Sequence, residues 1–231
     1  MSSNCVQQYG LKMGRYSSHS VILAMIGRGN GRVLDVGCGD GHLSAQIRSL
    51  GWYVVGLENH TISVDRAQSI CDRIIVVDLN KFDAPVLAED SFDIVICGDV
   101  LEHLVDPLTT LKLLIERLKP EGQLIISVPN VAHAWVRLNL MFGRFEYTAQ
   151  GILDRTHTRF FTRRSLIRLV TDAGLDVLVV RTTPVPIEEI FKITQPGRIL
   201  FFLQPIGALL SRLLPRLLAY QFVIRAKPRV T

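Results

Sequence analysis

Apolar runs of strand length alternate with amphipathic segments from residue 33 to residue 128, and this rhythm limits the fold more than any other feature of the sequence. Each run is almost entirely apolar, as strands that are covered on both faces must be. Strands that alternate with helix-length segments predict a parallel sheet with helical crossovers. The predicted strands are RVLDVG (32–37), YVVGLE (53–58), RIIVVD (73–78), FDIVICG (92–98) and GQLIISV (122–128).

Amphipathic segments between and after these runs are predicted to be helices. The clearest covers residues 106–118, where apolar residues recur every three or four positions, Asp106 is placed to cap the helix and Pro107 suits its first turn. The other predicted helices are 42–50, 61–70 and 162–174, and the last two predicted strands are 175–180 and 220–227.

The composition is that of a globular protein, with 231 residues of which 48% are apolar and 20% charged, and a single domain over 1–231 is expected. The four cysteines form no CxxC pair and no Cys/His cluster at zinc spacing, so neither a metal site nor a disulfide framework is predicted. Reduced cysteines, and an N-terminal sequence without the pattern of a secretory signal, predict a cytoplasmic protein.

The net charge of +5 is concentrated at one end of the chain, because residues 190–231 hold seven basic residues and no acidic one. This asymmetry indicates an anionic partner, such as phosphate groups, an acidic lipid surface or nucleic acid. The alternative is a basic surface that serves solubility alone.

Three glycines at alternate positions, Gly37, Gly39 and Gly41, follow the first predicted strand. A strand that ends in a glycine-rich turn and leads into a helix presents unpaired N–H groups, and glycine lets a ligand approach the backbone closely. Dinucleotide-binding turns use G-x-G-x-x-G, whereas here the third glycine comes one residue earlier. Asp35 precedes the turn, where a carboxylate would repel a pyrophosphate but would suit an amino group or a ribose.

The segment VLDVGCGDG resembles the first motif of the class I S-adenosylmethionine-dependent methyltransferases, and the resemblance extends from residue 30 to residue 180. FDIVICGDVLEHLVDP is similar to the family's fourth motif and the cofactor-lining turn after it, and LKPEGQLIISVPN resembles the segment that forms its fifth strand. The resemblance implies an α/β fold, namely a doubly wound, mostly parallel seven-stranded sheet with helices on both faces and an antiparallel last strand. It also implies S-adenosyl-L-methionine as the cofactor.

In that family an acid at the end of the second strand binds the ribose hydroxyls and an acid at the end of the third contacts the adenine amino group. The resemblance assigns these roles to Glu58 and Asp78, and it places Asp99 at the methionyl end. Each acid could instead cap a local turn or helix, although acids at the ends of neighbouring strands suit the ligand crevice of an open α/β sheet. The predicted cofactor-binding residues are Asp35, Gly37, Cys38, Gly39, Gly41, Glu58, Asn59, Asp78, Leu79, Gly98 and Asp99.

Methyl transfer from a sulfonium to a hydroxyl requires alignment of the acceptor and removal of its proton, for which histidine has a suitable pKa. His103 follows the fourth strand in LEHL, a motif similar to those of quinone O-methyltransferases and of many bacterial small-molecule and sugar methyltransferases. His103 is predicted either to act as a base or to hold the following helix through a backbone bond. The same two interpretations apply to Glu102.

Residues 129–162 are predicted to form a substrate-covering insertion, because this connector is long and rich in aromatic residues and arginines. Its pattern resembles a subgroup of bacterial methyltransferases associated with cell-surface saccharide and lipid metabolism. The arginines could grip a phosphate or carboxylate through paired donors, or could pair with Asp154 and only brace the loop. The candidate catalytic residues are His103, His133, Asp154 and His157, and the candidate substrate-binding residues are Tyr147, Arg155 and Arg159.

A second insertion, 187–219, is apolar but interrupted by arginines and prolines, and it lacks the run of roughly 20 apolar residues that a membrane-spanning helix needs. Two short helices are predicted here. They could lie on an anionic membrane face through residues 190–218, cap the sheet or form a contact in a homo-oligomer. The membrane alternative implies a lipid-linked acceptor and a peripheral position at the inner membrane face.

These patterns predict an enzyme that methylates a small-molecule or lipid-linked acceptor, such as a saccharide or a quinone-like compound, at oxygen and without a metal. The alternatives are a nicotinamide-dependent oxidoreductase and a scaffold that binds the cofactor without turnover. A nucleic-acid methylase is disfavoured, since GDVLEH stands where such enzymes resemble one another in an NPPY-like turn.

Overall fold

The computed structural model describes residues 16–81, 84–87, 91–186 and 198–229. The strands in this part of the chain are β1 (Arg32–Val36), β2 (Tyr53–Glu58), β3 (Arg73–Val76), β4 (Phe92–Gly98), β5 (Leu118–Pro129), β6 (Leu175–Thr183) and β7 (Gln221–Pro228). The α-helices there are α1 (Ser18–Ile26), α2 (His42–Ser49), α3 (Thr61–Ala67), α4 (Pro107–Ile115), α5 (Ala134–Met141), α6 (Arg163–Asp172), α7 (Arg198–Leu213) and α8 (Pro215–Leu218).

The seven strands form one sheet in the order β3-β2-β1-β4-β5-β7-β6. Neighbours from β3 through β5 are parallel, and β7 is antiparallel to both β5 and β6. This confirms the predicted doubly wound, mostly parallel sheet and its antiparallel last strand. The chain moves outward from β1 to β3 and then returns to β4, so the carboxyl ends of β1 and β4 flank the point where open α/β sheets bind ligands.

Alternate residues of the central strands enter separate cores on opposite faces of the sheet. On one face Leu34 and Val95 pack in a cluster that includes Leu111 of α4 and Leu166 of α6. On the other face Val33 and its neighbours pack with the apolar residues of α1 and α2. This division explains why the strands are apolar throughout, because both faces of the sheet are covered.

The boundary between α4 and β5 differs from its prediction. Asp106 caps α4 by accepting a hydrogen bond from the Thr109 backbone N–H at 3.1 Å, as predicted. The helix, however, ends at Ile115 and β5 begins at Leu118, whereas the sequence pattern favoured a helix to 118 and a strand from 122. Pro120 lies inside β5, in a stretch where the register with β4 shifts and the missing N–H breaks no regular ladder.

The second insertion forms one helix of 16 residues and a short second one, in place of the two short helices that were predicted. Pro205 lies inside α7, so this proline removes one backbone donor without ending the helix. Residues 187–197 of that insertion lie outside the described residues. Of the helices in the described ranges, none combines the length and apolar character needed to cross a membrane.

Candidate functional site

The glycine turn between β1 and α2 has the left-handed backbone that its sequence predicts. Gly37, Gly39 and Gly41 have φ values of +65°, +54° and +81°. A Cβ on Gly37 would lie 2.8 Å from the side chain of Val100, whereas a Cβ on Gly39 would meet no atom within 4 Å. Gly37 is thus required by packing, and Gly39 leaves backbone open to a ligand.

Asp35 lies beneath this turn and is 2% exposed. Its carboxylate accepts a hydrogen bond from the Ser44 hydroxyl at 2.6 Å. Burial raises the pKa of Asp35, the Ser44 hydrogen bond lowers it and the negative charge of Glu58 raises it, and together these effects bring the pKa to about 6. A carboxylate whose charge is so poorly stabilised is suited to a nearby cationic ligand.

Glu58 ties the glycine turn to the end of β2. One oxygen of its carboxylate accepts from the Gly39 N–H at 2.9 Å, and the other accepts from the N–H groups of Asn59 and His60 at 2.8 and 2.9 Å. The capping interpretation is therefore partly right for Glu58. It leaves one acceptor position for a ligand, on the oxygen that accepts only from Gly39, because each carboxylate oxygen has two such positions.

Asp78 lies two residues beyond the end of β3, which is shorter than predicted. Its carboxylate accepts from the Asn80 N–H at 3.0 Å and so supports the short turn that follows. The other predicted cofactor-binding positions share this edge of the sheet, with Asn59 after β2, Leu79 at the start of a 3-10 turn and Gly98 at the end of β4.

Asp99 is held by three side chains that sequence reasoning missed. Its carboxylate accepts from Ser127 at 2.7 Å, from Gln221 at 2.8 Å and from Ser18 at 3.3 Å, which lie on β5, β7 and α1 respectively. Asp99 itself has a left-handed backbone, with φ of 57°. The sequence hints at this arrangement only through Ser127 and Gln221, which are buried polar residues in the apolar strands β5 and β7.

Cys38 contributes to the turn through packing. Its N–H donates to the Leu57 carbonyl at 3.0 Å, and its buried thiol lies against Cys71 below Gly56. The hydrogen bond with Cys71, together with burial, raises the pKa of the Cys38 thiol well above its usual range. Its predicted part in cofactor binding stays a prediction.

Two segments far apart in sequence are joined at the mouth of the crevice. The N–H groups of Thr158 and Arg159 both donate to the Glu102 carbonyl, at 2.8 and 2.9 Å, and the Thr158 hydroxyl donates to the Leu104 carbonyl at 3.0 Å. These bonds fix the second half of the 129–162 insertion to the turn after β4.

This connection places the rings of His103 and His157 edge to face, with centroids 4.9 Å apart. The Nδ1 atom of His103 lies 3.2 Å from the Thr156 carbonyl, and that of His157 lies 3.2 Å from the Ile152 carbonyl. Burial lowers the pKa of His157 and the charge of His103 lowers it further, while the hydrogen bond with the Ile152 carbonyl and the charges of Asp154 and Asp99 oppose them. Two of the four catalytic candidates therefore share one site beside the cofactor crevice.

Asp154 and His133 have structural contacts elsewhere. The buried carboxylate of Asp154 accepts from the N–H and the hydroxyl of Thr156, both at 2.8 Å, and so stabilises the turn that carries His157. His133 caps α5 by accepting from the Trp135 N–H at 3.2 Å, and burial lowers its pKa. Proton transfer by either residue stays a prediction.

The candidate substrate-binding residues lie in the same insertion as His157. Arg159 donates from Nε to the Val105 carbonyl at 3.1 Å, so this guanidinium braces the loop through a carbonyl. Arg155 is exposed. The exposed ring of Tyr147 packs with Phe145 and Phe160, at 5.6 and 6.3 Å between centroids.

Comparisons with known proteins agree with this geometry. The ubiquinone biosynthesis O-methyltransferase of Cereibacter sphaeroides is 32% identical over 150 residues, which cover 63% of this chain and only 60% of that relative. The enzyme of the same description from Pseudomonas paraeruginosa is 29% identical over 180 residues, covering 74% of this chain and 76% of that one. A crystal structure of a SAM-dependent methyltransferase from Archaeoglobus fulgidus has a TM-score of 0.61 at 20% identity, over 91% of this chain and 95% of that one, and so shows the fold.

A doubly wound sheet with a glycine turn and three acids at its switch point defines an α/β protein that binds a nucleoside cofactor. A family model described as a methyltransferase domain matches residues 14–180. The chain therefore belongs to the class I S-adenosylmethionine-dependent methyltransferases. The family and the cofactor predicted from the sequence are confirmed.

Proposed function

We propose that this protein transfers a methyl group from S-adenosylmethionine to an oxygen atom of a small-molecule or lipid-linked acceptor in the cytoplasm. The observation that carries the proposal is the histidine pair at the turn after β4, whose rings lie 4.9 Å apart and where Phe160 packs edge to face on His157. The relatives from C. sphaeroides and P. paraeruginosa, which are described as O-methyltransferases, support transfer to oxygen.

The residues of the crevice suit the cofactor. Gly39 offers exposed backbone, and the buried carboxylate of Asp35 would be stabilised by a positive charge nearby. Glu58 keeps the turn in place while retaining one acceptor position for a hydroxyl group. When bound, S-adenosylmethionine supplies an activated methyl group on a sulfonium.

The chain then has to align an acceptor oxygen with that methyl group, exclude water and favour loss of the acceptor proton. The rings of Phe145, Tyr147 and Phe160 form an aromatic cluster beside His157 that can cover the acceptor. The imidazoles of His103 and His157 are the polar groups placed to bind the acceptor oxygen.

Calorimetry and a transfer assay test the proposal. We expect heat on titration with S-adenosylmethionine and none with a nicotinamide dinucleotide, and methyl-labelled cofactor should label an acceptor in a cell lipid extract. Mass spectrometry of the labelled product would identify the methylated atom. Heat from the dinucleotide alone would favour an oxidoreductase, and binding without S-adenosylhomocysteine release would favour the scaffold.

An exposed apolar surface supports a lipid-linked acceptor. Exposed apolar side chains recur on one face of α5 and on one face of α7, and Arg137 of α5 donates to the Arg216 carbonyl of α8 at 3.4 Å. On α7 the opposite face is buried, where Ser211 contacts Thr182 of β6 at 3.2 Å. The apolar members of this surface are Trp135, Leu138, Met141, Phe142, Ile206, Leu209, Leu210, Leu213, Leu214 and Leu217.

The basic residues around this surface suit an anionic membrane. Arg144 follows α5, Arg212 lies in the last turn of α7, and Arg216 lies in α8. A face that combines apolar side chains with arginines gains both from apolar burial and from attraction to anionic lipid. We therefore propose a peripheral position at the inner membrane face.

Removing the two most exposed apolar side chains should weaken membrane binding. Met141 and Phe142 are 80% and 71% exposed, so M141S/F142S should fold normally and float with anionic liposomes at least about tenfold less than the wild-type protein. I62S, which removes an exposed apolar side chain from α3, should float as wild type. Equal flotation of all three proteins would contradict the proposal.

A further inference from the structure

Three buried polar side chains converge on one carboxylate at the ligand edge of the sheet. Ser127 and Gln221 donate to Oδ1 of Asp99 at 2.7 and 2.8 Å, and Ser18 donates to Oδ2 at 3.3 Å. Each of these three donors is at most 4% exposed. Because a buried polar group is costly unless it is hydrogen-bonded, three interior positions of the fold are committed to orienting a single acid.

The backbone of Asp99 shows how firmly this acid is held. Among the described residues, Asp99 is the one non-glycine residue with a left-handed backbone. That conformation is unfavourable for most side chains and persists where the surrounding structure enforces it, which is typical of functional sites. The donors lie on α1, β5 and β7, so three separate elements enforce the orientation of Asp99.

The sheet topology explains how Gln221 reaches this edge. The parallel strands end at the edge that carries the glycine turn, and β7 runs antiparallel to β5. Gln221 is the first residue of β7 and pairs with Pro129, the last residue of β5. The antiparallel last strand therefore brings a side chain from near the end of the chain to the cofactor crevice.

Asp99 lies next to the glycine turn where the cofactor is expected. Val100 follows Asp99 and packs closely on that turn, since a Cβ on Gly37 would lie 2.8 Å from the Val100 side chain. The charge of Asp99 is also among those that oppose the lowering of the His157 pKa. This carboxylate therefore lies between the glycine turn and the groups at the mouth of the crevice.

The hydrogen bonds decide which oxygen of Asp99 a ligand would meet. Ser127 and Gln221 fill both acceptor positions of Oδ1, so a cation that binds Asp99 would contact Oδ2. S-adenosylmethionine carries a cationic amino group at its methionyl end, where Asp99 is predicted to lie.

We propose that Ser127 and Gln221 are positioning residues that hold the Asp99 carboxylate in place to bind the amino group of the cofactor. The inference rests on the predicted place of Asp99 at the methionyl end. It concerns the cofactor alone and does not depend on which acceptor is methylated.

Calorimetry with three nucleosides tests the proposal on the full-length protein. S-adenosylmethionine and S-adenosylhomocysteine both carry the amino group, whereas methylthioadenosine keeps the adenosine and the sulfur but lacks it. Q221L removes the donor at a similar side-chain size, and S127A makes a smaller change. Because Asp99 loses its orientation, each variant should bind the first two ligands about tenfold more weakly than the wild type and should bind methylthioadenosine equally well.

A double variant shows whether Gln221 acts through Asp99. D99N should weaken S-adenosylmethionine binding more than Q221L does, and adding Q221L to D99N should weaken it by less than about twofold further. Q123L is the matched control, because Gln123 is a half-buried glutamine of β5. It should leave all three affinities unchanged. Retained binding of methylthioadenosine shows that a variant is folded.

Three results would overturn the inference and leave the proposed methyl transfer standing. The first is unchanged binding, or an equal loss for all three ligands, in both Q221L and S127A. The second is a full additional loss when Q221L is combined with D99N, since Gln221 would then act independently of Asp99. The third is a loss confined to S-adenosylmethionine, which would place Asp99 at the sulfonium. A wild-type protein that binds none of the three ligands would overturn the proposed function and the inference together.

Discussion

The G39A variant is expected to bind S-adenosylmethionine about 100-fold more weakly than the wild-type protein, a loss of about 2.7 kcal/mol. A Cβ on Gly39 would meet no protein atom within 4 Å, so the methyl group would stand in the space that a ligand of this turn must use. The same turn is held by Glu58 through the Gly39 N–H, and that bond is expected to survive the substitution. The variant should therefore fold and lose affinity. Isothermal titration at one pH measures the effect.

The G174A variant is the control that separates the effect of backbone strain from the effect of a blocked ligand site. Gly174 also has a left-handed backbone, with φ of +92°, and its added Cβ would also meet open space. It lies between α6 and β6, so its substitution should cost about as much stability as G39A, on the order of 1 kcal/mol, without affecting affinity. Urea denaturation compares the two stabilities. If G39A bound the cofactor as tightly as G174A, the glycine turn would not be the binding site.

The sheet could be predicted from the sequence because each strand and helix is marked by a pattern within its own segment of the chain. Each of the first five strands is an apolar run, and the helices between them carry their own signals, such as the Asp106 cap and the proline after it. Strand order then follows from the few topologies that right-handed crossovers allow. The α4 to β5 boundary was wrong because a proline there is compatible both with a helix end and with an irregular strand start.

The candidate site could be predicted only where it coincides with strand ends. Asp35, Glu58 and Asp99 follow from the sheet, since parallel strands bring their carboxyl ends to one edge. The partners of Asp99 could not be predicted, because Ser18 and Gln221 approach it from opposite ends of the chain.

The histidine pair depends on hydrogen bonds between loops, which leave no periodic trace in the sequence. Periodicity reports which face of an element is buried, but it does not report the path of a connector. His157 reaches His103 because Thr158 and Arg159 donate to one carbonyl of the opposite turn.

The unfolding free energy of the wild-type protein is expected to fall relative to that of D35N as the pH rises from 4 to 7. The folded pKa of Asp35 is about 6, above the value of 3.8 for an unperturbed aspartate. The native state thus holds this proton more tightly than the unfolded state does. Its stabilising contribution is complete below pH 3.8 and is lost as the pH passes about 6, and the full change is about 3 kcal/mol. Urea denaturation at a series of pH values measures it.

Asparagine keeps the size of Asp35 and an oxygen that can accept from Ser44, but it carries no charge. The titratable groups around Asp35 are Glu58 and the thiols of Cys38, Cys71 and Cys97, and the charge of Glu58 contributes to the raised pKa.

D106N is a control for which the pH dependence of stability has the opposite sign. Hydrogen bonds with Thr109 lower the pKa of Asp106, so the stabilising contribution of Asp106 is lost as the pH falls. If the unfolding free energies of the wild type and D35N changed equally with pH, Asp35 would not be the group responsible for the pH dependence. With saturating S-adenosylmethionine the difference should shrink, because a cationic ligand near Asp35 stabilises the charge that burial disfavours.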